Sequence, residues 1–143
     1  MRHPSLRLIL FLLPVLMLAG CSSQSAEQPP PQQSPQVIAA NELAAMARLR
    51  SIANAEALYM IEANDKYATL DELTKKGLVN DPARGKLTGY SFEVKVTAGG
   101  FEATAVPLQA GISGKRSFYI DETNVLRGAE KQGAKATSSD KEV

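Results

Sequence analysis

The sequence predicts an α+β domain in which a long amphipathic helix lies across a three- to four-stranded antiparallel sheet, with a short capped helix between them. Three observations carry that prediction. An apolar stripe of helical period continues from Pro35 to about Asn64 with no glycine or further proline. A reciprocal capping pattern stands at Thr69-Leu70-Asp71-Glu72. From Tyr90 the apolar period changes to two.

The long helix opens at Ser34-Pro35, a hydroxyl that can accept from the first free amides, followed by the residue best tolerated at the first helical position. At 100° per residue, Ile38, Ala45, Met46, Leu49, Ile52, Ala53, Tyr59, Met60 and Ala63 share one stripe. Such a helix is about 45 Å long at 1.5 Å per residue. Glu56 projects from the middle of this stripe, and Leu43, Leu58 and Ile61 form a thinner apolar line on the far side. The Glu56 carboxylate fits two roles: a rim group paired with Arg116 or Arg127 on the facing sheet, or a raised-pKa carboxylate in a cleft. The outer line fits either scattered surface leucines or a seam for another protein's helix.

The short helix, Leu70 to Lys76, ends as legibly as it starts. Lys75 and Lys76 face the negative end of its dipole, Gly77 can take the left-handed conformation, and Leu78 can touch Leu73. Asn80-Asp81-Pro82 then breaks the chain, and a loop leads to Gly89. Tyr90, Phe92, Val94 and Val96 alternate with polar residues, and Ala98-Gly99-Gly100 turns this strand back into Phe101, Ala103 and Ala105. A third strand, Arg116 to Ile120, turns at Asp121-Glu122-Thr123-Asn124 into Val125-Leu126-Arg127. A long helix followed by such a meander buries its stripe by lying across one sheet face.

Outside this domain, 34–127, composition sets three further segments. The apolar run Leu8 to Leu18 follows Arg2, His3 and Arg7 and is too short to span a bilayer as a mature helix, the layout of a secretory signal over 1–20. Residues 21–33 hold Pro29 to Pro31 with glutamines and serines and read as an extended tether with a reach of about 35 Å. Residues 128–143 are rich in Lys, Glu, Ser, Ala and Gly and read as a disordered tail.

Leu18-Ala19-Gly20-Cys21 resembles a bacterial lipobox, and Cys21 is the chain's single cysteine. The resemblance implies cleavage between Gly20 and Cys21 and acyl chains such as palmitate on Cys21, so that the mature chain hangs from a membrane by lipid. Several chains hold stably where one does not. Ser22 after the cysteine, by resemblance to enterobacterial lipoproteins, favours the outer membrane facing the periplasm over the inner membrane. Loss of Arg2 and Arg7 takes Lys plus Arg from 16 to 14 against 15 acids, so no basic excess argues for nucleic acid or a polybasic membrane contact.

The chemical inventory is short. The lone histidine, His3, leaves with the signal, so no imidazole remains for a nucleophile's base or, with Cys21 acylated, for a His/Cys metal set. Asp71-Glu72 belongs to the capping box. Asp121-Glu122-Thr123-Asn124 is rich in oxygen ligands but lacks the spacing and central glycine of a calcium loop, and reads as a turn. The expectation is a non-enzyme with no catalytic, metal or cofactor residues. A carboxylate-dependent hydrolase using Glu56 is the enzymatic alternative.

The segments Leu49-Arg50-Ser51-Ile52, Ala55 to Tyr59, Tyr67 to Leu73, Gly77-Leu78-Val79, Gly89 to Phe92 and Gly114 to Glu122, through Val125-Leu126-Arg127, resemble the globular part of type IV pilin-like and pseudopilin-like proteins. The resemblance covers roughly Asn41 to Arg127 and implies a helix packed on an antiparallel sheet. The chain departs from that family in lacking the uninterrupted apolar stalk helix through which subunits enter a filament; a lipobox and a proline-rich tether stand in its place. The platform is therefore expected without the filament role, as an envelope interaction module accessory to a pilus or a type II secretion-like apparatus. An assembly subunit packing through Leu43, Leu58 and Ile61 is the second expectation.

Overall fold

The structure, a computed structural model, describes residues 33–80 and 89–143. The expected signal, its cleavage site and nearly all of the tether lie outside the described residues, as does most of the loop before Gly89.

Helix α1 spans Pro35–Glu62, capped by Ser34, whose side chain accepts from the Val37 N–H, with proline in the first turn. Of the expected stripe it buries Ile38, Ala45, Leu49, Ile52 and Ala53 and half-buries Met46, Tyr59, Met60 and Ala63, and it also buries Ala55 and two carboxylates, Glu42 and Glu56. Left-handed Asn64 and Asp65 turn the chain away after the Ala63 cap. Helix α2 spans Leu70–Lys75 and carries the full capping box: Thr69 accepts from the Glu72 N–H while the Glu72 side chain accepts from the Thr69 N–H. At its end the Leu78 N–H donates to the Leu73 carbonyl and the Gly77 N–H to Thr74, both at 2.9 Å, with Gly77 at φ 73°. This is the double hydrogen-bond closure that a left-handed glycine permits.

Four strands follow as an antiparallel meander in the order β1-β2-β3-β4: β1 Tyr90–Val96, β2 Phe101–Pro107, β3 Arg116–Asp121 and β4 Arg127–Glu130. The registers Val94↔Ala103 and Ala103↔Ile120, with Phe92↔Ala105 and Ala105↔Phe118, align the apolar residues on the face that α1 covers. Leu49, Ile52, Tyr90, Phe101, Phe118 and Ile120 share one core with α2's Leu73. The alanines of central β2 leave room for the helix side chains above them. Each fully buried Leu or Ile stabilises the fold by about 1.5–3 kcal/mol. Backbone closeness matters at Gly114, where an added Cβ would lie 2.0 Å from the Tyr90 hydroxyl; that hydroxyl donates to the Arg116 carbonyl at 2.8 Å.

Two expectations need correction at the C-terminal end. The fourth strand is not Val125-Leu126-Arg127: it begins at Arg127 and runs to Glu130, with Gly128 opposite Phe118. The Phe118 ring occupies the space a Cβ at 128 would fill, 2.7 Å from its nearest atom, so the small residue sets the pairing. Residues 128–143 are likewise not a disordered tail. After β4 the chain forms a strap across the second sheet face, burying Ala136 there together with Tyr119 and Ser117, and returns to the outer edge of β4. The Gly128 N–H donates to the Lys141 carbonyl at 2.9 Å and the Val143 N–H to Leu126 at 3.1 Å. Lys135 pairs with Glu93 and Lys131 with Asp140, each at 2.8 Å. A polar segment can be ordered this way because a finished sheet offers it unpaired backbone groups and fixed opposite charges.

Deleting residues 131–143 should therefore lower stability by about 2 kcal/mol, the worth of the lost backbone bonds plus weak ion pairs, as read by urea unfolding. A dispensable tail would leave the midpoint unchanged.

Candidate functional site

Two places concentrate chemistry: the carboxylates buried within α1's stripe and the apolar line on its outer face. Glu42, one turn after Ile38, points at the start of β3. Its Oε1 accepts from the backbone N–H groups of Lys115 and Arg116 at 3.0 and 3.2 Å, and its Oε2 accepts from Arg116 Nε at 2.9 Å. Asn41 beside it donates to the Ser113 carbonyl at 2.9 Å. The first third of α1 thus grips the 113–116 segment, and the guanidinium lies 5.1 Å from the Phe118 ring. A cleft of about 490 Å³ opens here, lined by Pro35, Ile38, Glu42, Lys115, Arg116 and Glu130. Its central charges already satisfy one another.

Glu56 pairs with neither arginine, and its carboxyl is raised as the second expectation had it, but in a closed interior and not in a cleft. Arg116 is taken by Glu42, and Arg127 lies with Glu142 at 3.5 Å. Glu56 has no solvent exposure; its Oε2 accepts from the Ala68 N–H at 2.9 Å and its Oε1 has no hydrogen-bond partner. Burial pushes its carboxyl above the ordinary 4.5; the Ala68 N–H offsets part of that rise and the Glu72 charge adds to it. Glu56 ties the middle of α1 to the chain entering α2.

The Asp121–Asn124 segment has the geometry of a turn. The Asn124 N–H donates to the Asp121 carbonyl at 2.9 Å, and Asp121 Oδ1 accepts from the N–H and the hydroxyl of Thr123. Among the described residues no group of three or more His, Cys, Asp or Glu is placed to hold a metal. None of the described helices is long and apolar enough to cross a membrane.

The outer line is exposed as expected: Leu43 by 64 %, Leu58 by 55 % and Ile61 by 77 %. Leu58 and Ile61 adjoin across one turn, while Leu43 stands about 22 Å away along the axis, with Arg50 and Asn54 exposed between them. Gly20 and Cys21 lie outside the described residues. Glu42, which the sequence reading passed over, could have been found from its position four residues after Ile38 and three before Ala45, inside the apolar stripe.

Comparison with protein-family models, with curated proteins and with solved structures found no match.

The two carboxylates give separable outcomes. Glu42→Ala strands three donors and should cost about 2–3 kcal/mol, whereas Arg116→Ala leaves Glu42 two backbone donors and should cost about 1 kcal/mol, measured by chemical denaturation. For Glu56 the sign is opposite to that of an ion-paired acid. At low pH it is protonated in folded and unfolded chains alike; as pH rises the unfolded chain releases its proton first, so stability falls until the raised folded pKa is passed. Glu56→Gln keeps an acceptor for Ala68 and should remove that decline in unfolding midpoints recorded from about pH 4 to about pH 8.

Proposed function

We propose that this chain is a lipid-anchored envelope protein whose helix-on-sheet domain is a non-enzymatic interaction module. The observation that carries the interaction role is the Leu58/Ile61 pair: two large apolar side chains, 55 % and 77 % exposed, side by side on the face of α1 turned away from the sheet. Apolar groups adjoining across one helical turn match the spacing at which helices pack on one another. The anchoring role is supported by the Leu18-Ala19-Gly20-Cys21 sequence after its apolar run. The α+β architecture is consistent with the pilin-like resemblance, and on that basis the module is accessory to a pilus or type II secretion-like apparatus, held on the periplasmic side of the outer membrane. The deep burial of Glu56 supports a structural role for that carboxylate over a hydrolytic one.

A pilin-like assembly subunit is the second reading, in which the partner's own helix lies along Leu43, Leu58 and Ile61. Leu58→Glu with Ile61→Glu tests the face, since both positions are exposed and the folded monomer should keep its melting temperature. Crosslinking to envelope partners should be lost in that variant, and unchanged crosslinking would remove the outer face from the mechanism. Cys21→Ser should move the protein out of the membrane fraction, and mass spectrometry of the native product should find acylated Cys21 at its N-terminus. An intact Met1 there overturns the anchor.

A further inference from the structure

The strap over the second sheet face is secured by polar contacts on a segment with little apolar surface. Ala136 is buried, but Val143 is 43 % exposed, and the rest of 137–142 is Thr, Ser, Asp, Lys and Glu. The Lys135–Glu93 pair has both side chains more than half exposed, and Glu142 of the Arg127–Glu142 pair is 68 % exposed. Exposed pairs of this kind contribute little each. Return to the sheet rests on two backbone bonds flanking a single antiparallel bridge, Arg127↔Glu142, together with the less exposed Lys131–Asp140 pair and an Arg127 side-chain bond to the Asp140 carbonyl at 3.2 Å. The hinge that lets the strap double back carries two successive left-handed residues, Gln132 at φ 51° and Gly133 at φ 90°. Glycine takes that conformation at no cost, but glutamine does not.

From this geometry we infer that the strap is an exchangeable fifth strand, and that the outer edge of β4 is a docking edge for residues 141–143 of a second copy of this chain. The contacts made beyond the hinge, Lys135 to Glu93, Asp140 to Lys131 and Arg127, Lys141 to Gly128, Glu142 to Arg127 and Val143 to Leu126, involve groups that an identical chain supplies equally well. Exchange therefore conserves the interface, and the difference lies in the hinge. Straightening residues 131–133 frees Gln132 from its left-handed conformation, which favours the exchanged form, while loss of intramolecular proximity opposes it at low concentration. The occupant is this same sequence, because residues 141–143 already fill the edge in this register. The inference does not depend on the lipid anchor or on the outer face of α1.

Arg127 and Glu142 are flanked by, rather than joined by, the backbone bonds, so their Cα atoms lie ~4.5 Å apart, within disulfide reach. The test uses the full chain in mild detergent, carrying Cys21→Ser so that no third thiol interferes. Chains with Arg127→Cys alone are mixed with chains carrying Glu142→Cys alone and oxidised gently; exchange yields a 127–142 heterodimer that increases with protein concentration, while either variant by itself yields none. Adding Gln132→Gly removes the strain and should lower the heterodimer by about fivefold. The double variant, Arg127→Cys with Glu142→Cys, checks reactivity within one chain. If it closes its disulfide internally while the mixture forms no heterodimer at any concentration, exchange does not occur and the proposal fails. Equal dimer from the single variants alone would also overturn it, because random thiol collision would then account for the product.

Discussion

Two carboxylates inside the apolar stripe of α1 fix how the helix sits on the sheet. Apolar packing alone leaves a helix some freedom to slide or rotate, because neighbouring leucines and alanines are nearly interchangeable as contacts. A buried carboxylate has no such freedom, since leaving it without donors costs more than its burial returns. Glu42 finds three donors at the start of β3, and Glu56 finds one at the entry to α2. Each thereby pins a segment remote in sequence to a stated turn of α1. The position of β3 then sets the registers of β2 and β4, and the position of α2 closes the core around Leu73.

The two pins differ in quality. Glu42 is nearly satisfied: both oxygens are engaged, one by a guanidinium that keeps some contact with water. Glu56 is half satisfied, with Oε1 closed off and unpartnered. Its protonated form avoids much of the penalty, which is why its carboxyl is pushed upward. The pH response of Glu56 thus follows from deep burial that a single backbone donor only partly offsets.

What the sequence made legible was local. Ser34-Pro35, the Thr69–Glu72 box and the Gly77 closure all formed as read, because each is decided by residues within one turn of one another. The stripe of α1 and the alternation in β1 and β2 were legible for the same reason. What failed was non-local. Glu56 was visible as an anomaly, but its partner is a backbone amide at position 68 and not a guanidinium, and nothing in the spacing of charged residues encodes that. Glu42 stands in the stripe as visibly as Glu56, but its donors lie about seventy positions away, so its role was not legible in the spacing. The β4 boundary was misplaced because apolar Val125 and Leu126 suggest a strand, whereas pairing is decided by the left-handed Asn124 turn and by the room that Gly128 leaves for Phe118. Composition misjudged 128–143 for a related reason. It measures whether a segment can bury enough apolar area to fold alone, and this one is ordered by a sheet that already exists.

The strap also changes what surface remains for a partner. With α1 on one sheet face and residues 131–143 on the other, neither face of the sheet offers a broad apolar surface of its own. Among the described residues the large apolar side chains left exposed are Val37, Leu43, Leu58, Ile61, Val96, Leu108 and Val143. Four of these belong to α1, and only Leu58 and Ile61 adjoin one another along it. Isolated exposed leucines are ordinary on protein surfaces, but an adjoining pair on an element already rigidified by its packing on the sheet presents a patch without further ordering cost. The same two pins that hold α1 to the sheet therefore also aim its outer face, so a change at Glu42 or Glu56 that lets the helix rotate would shift the Leu58 and Ile61 patch without touching either residue.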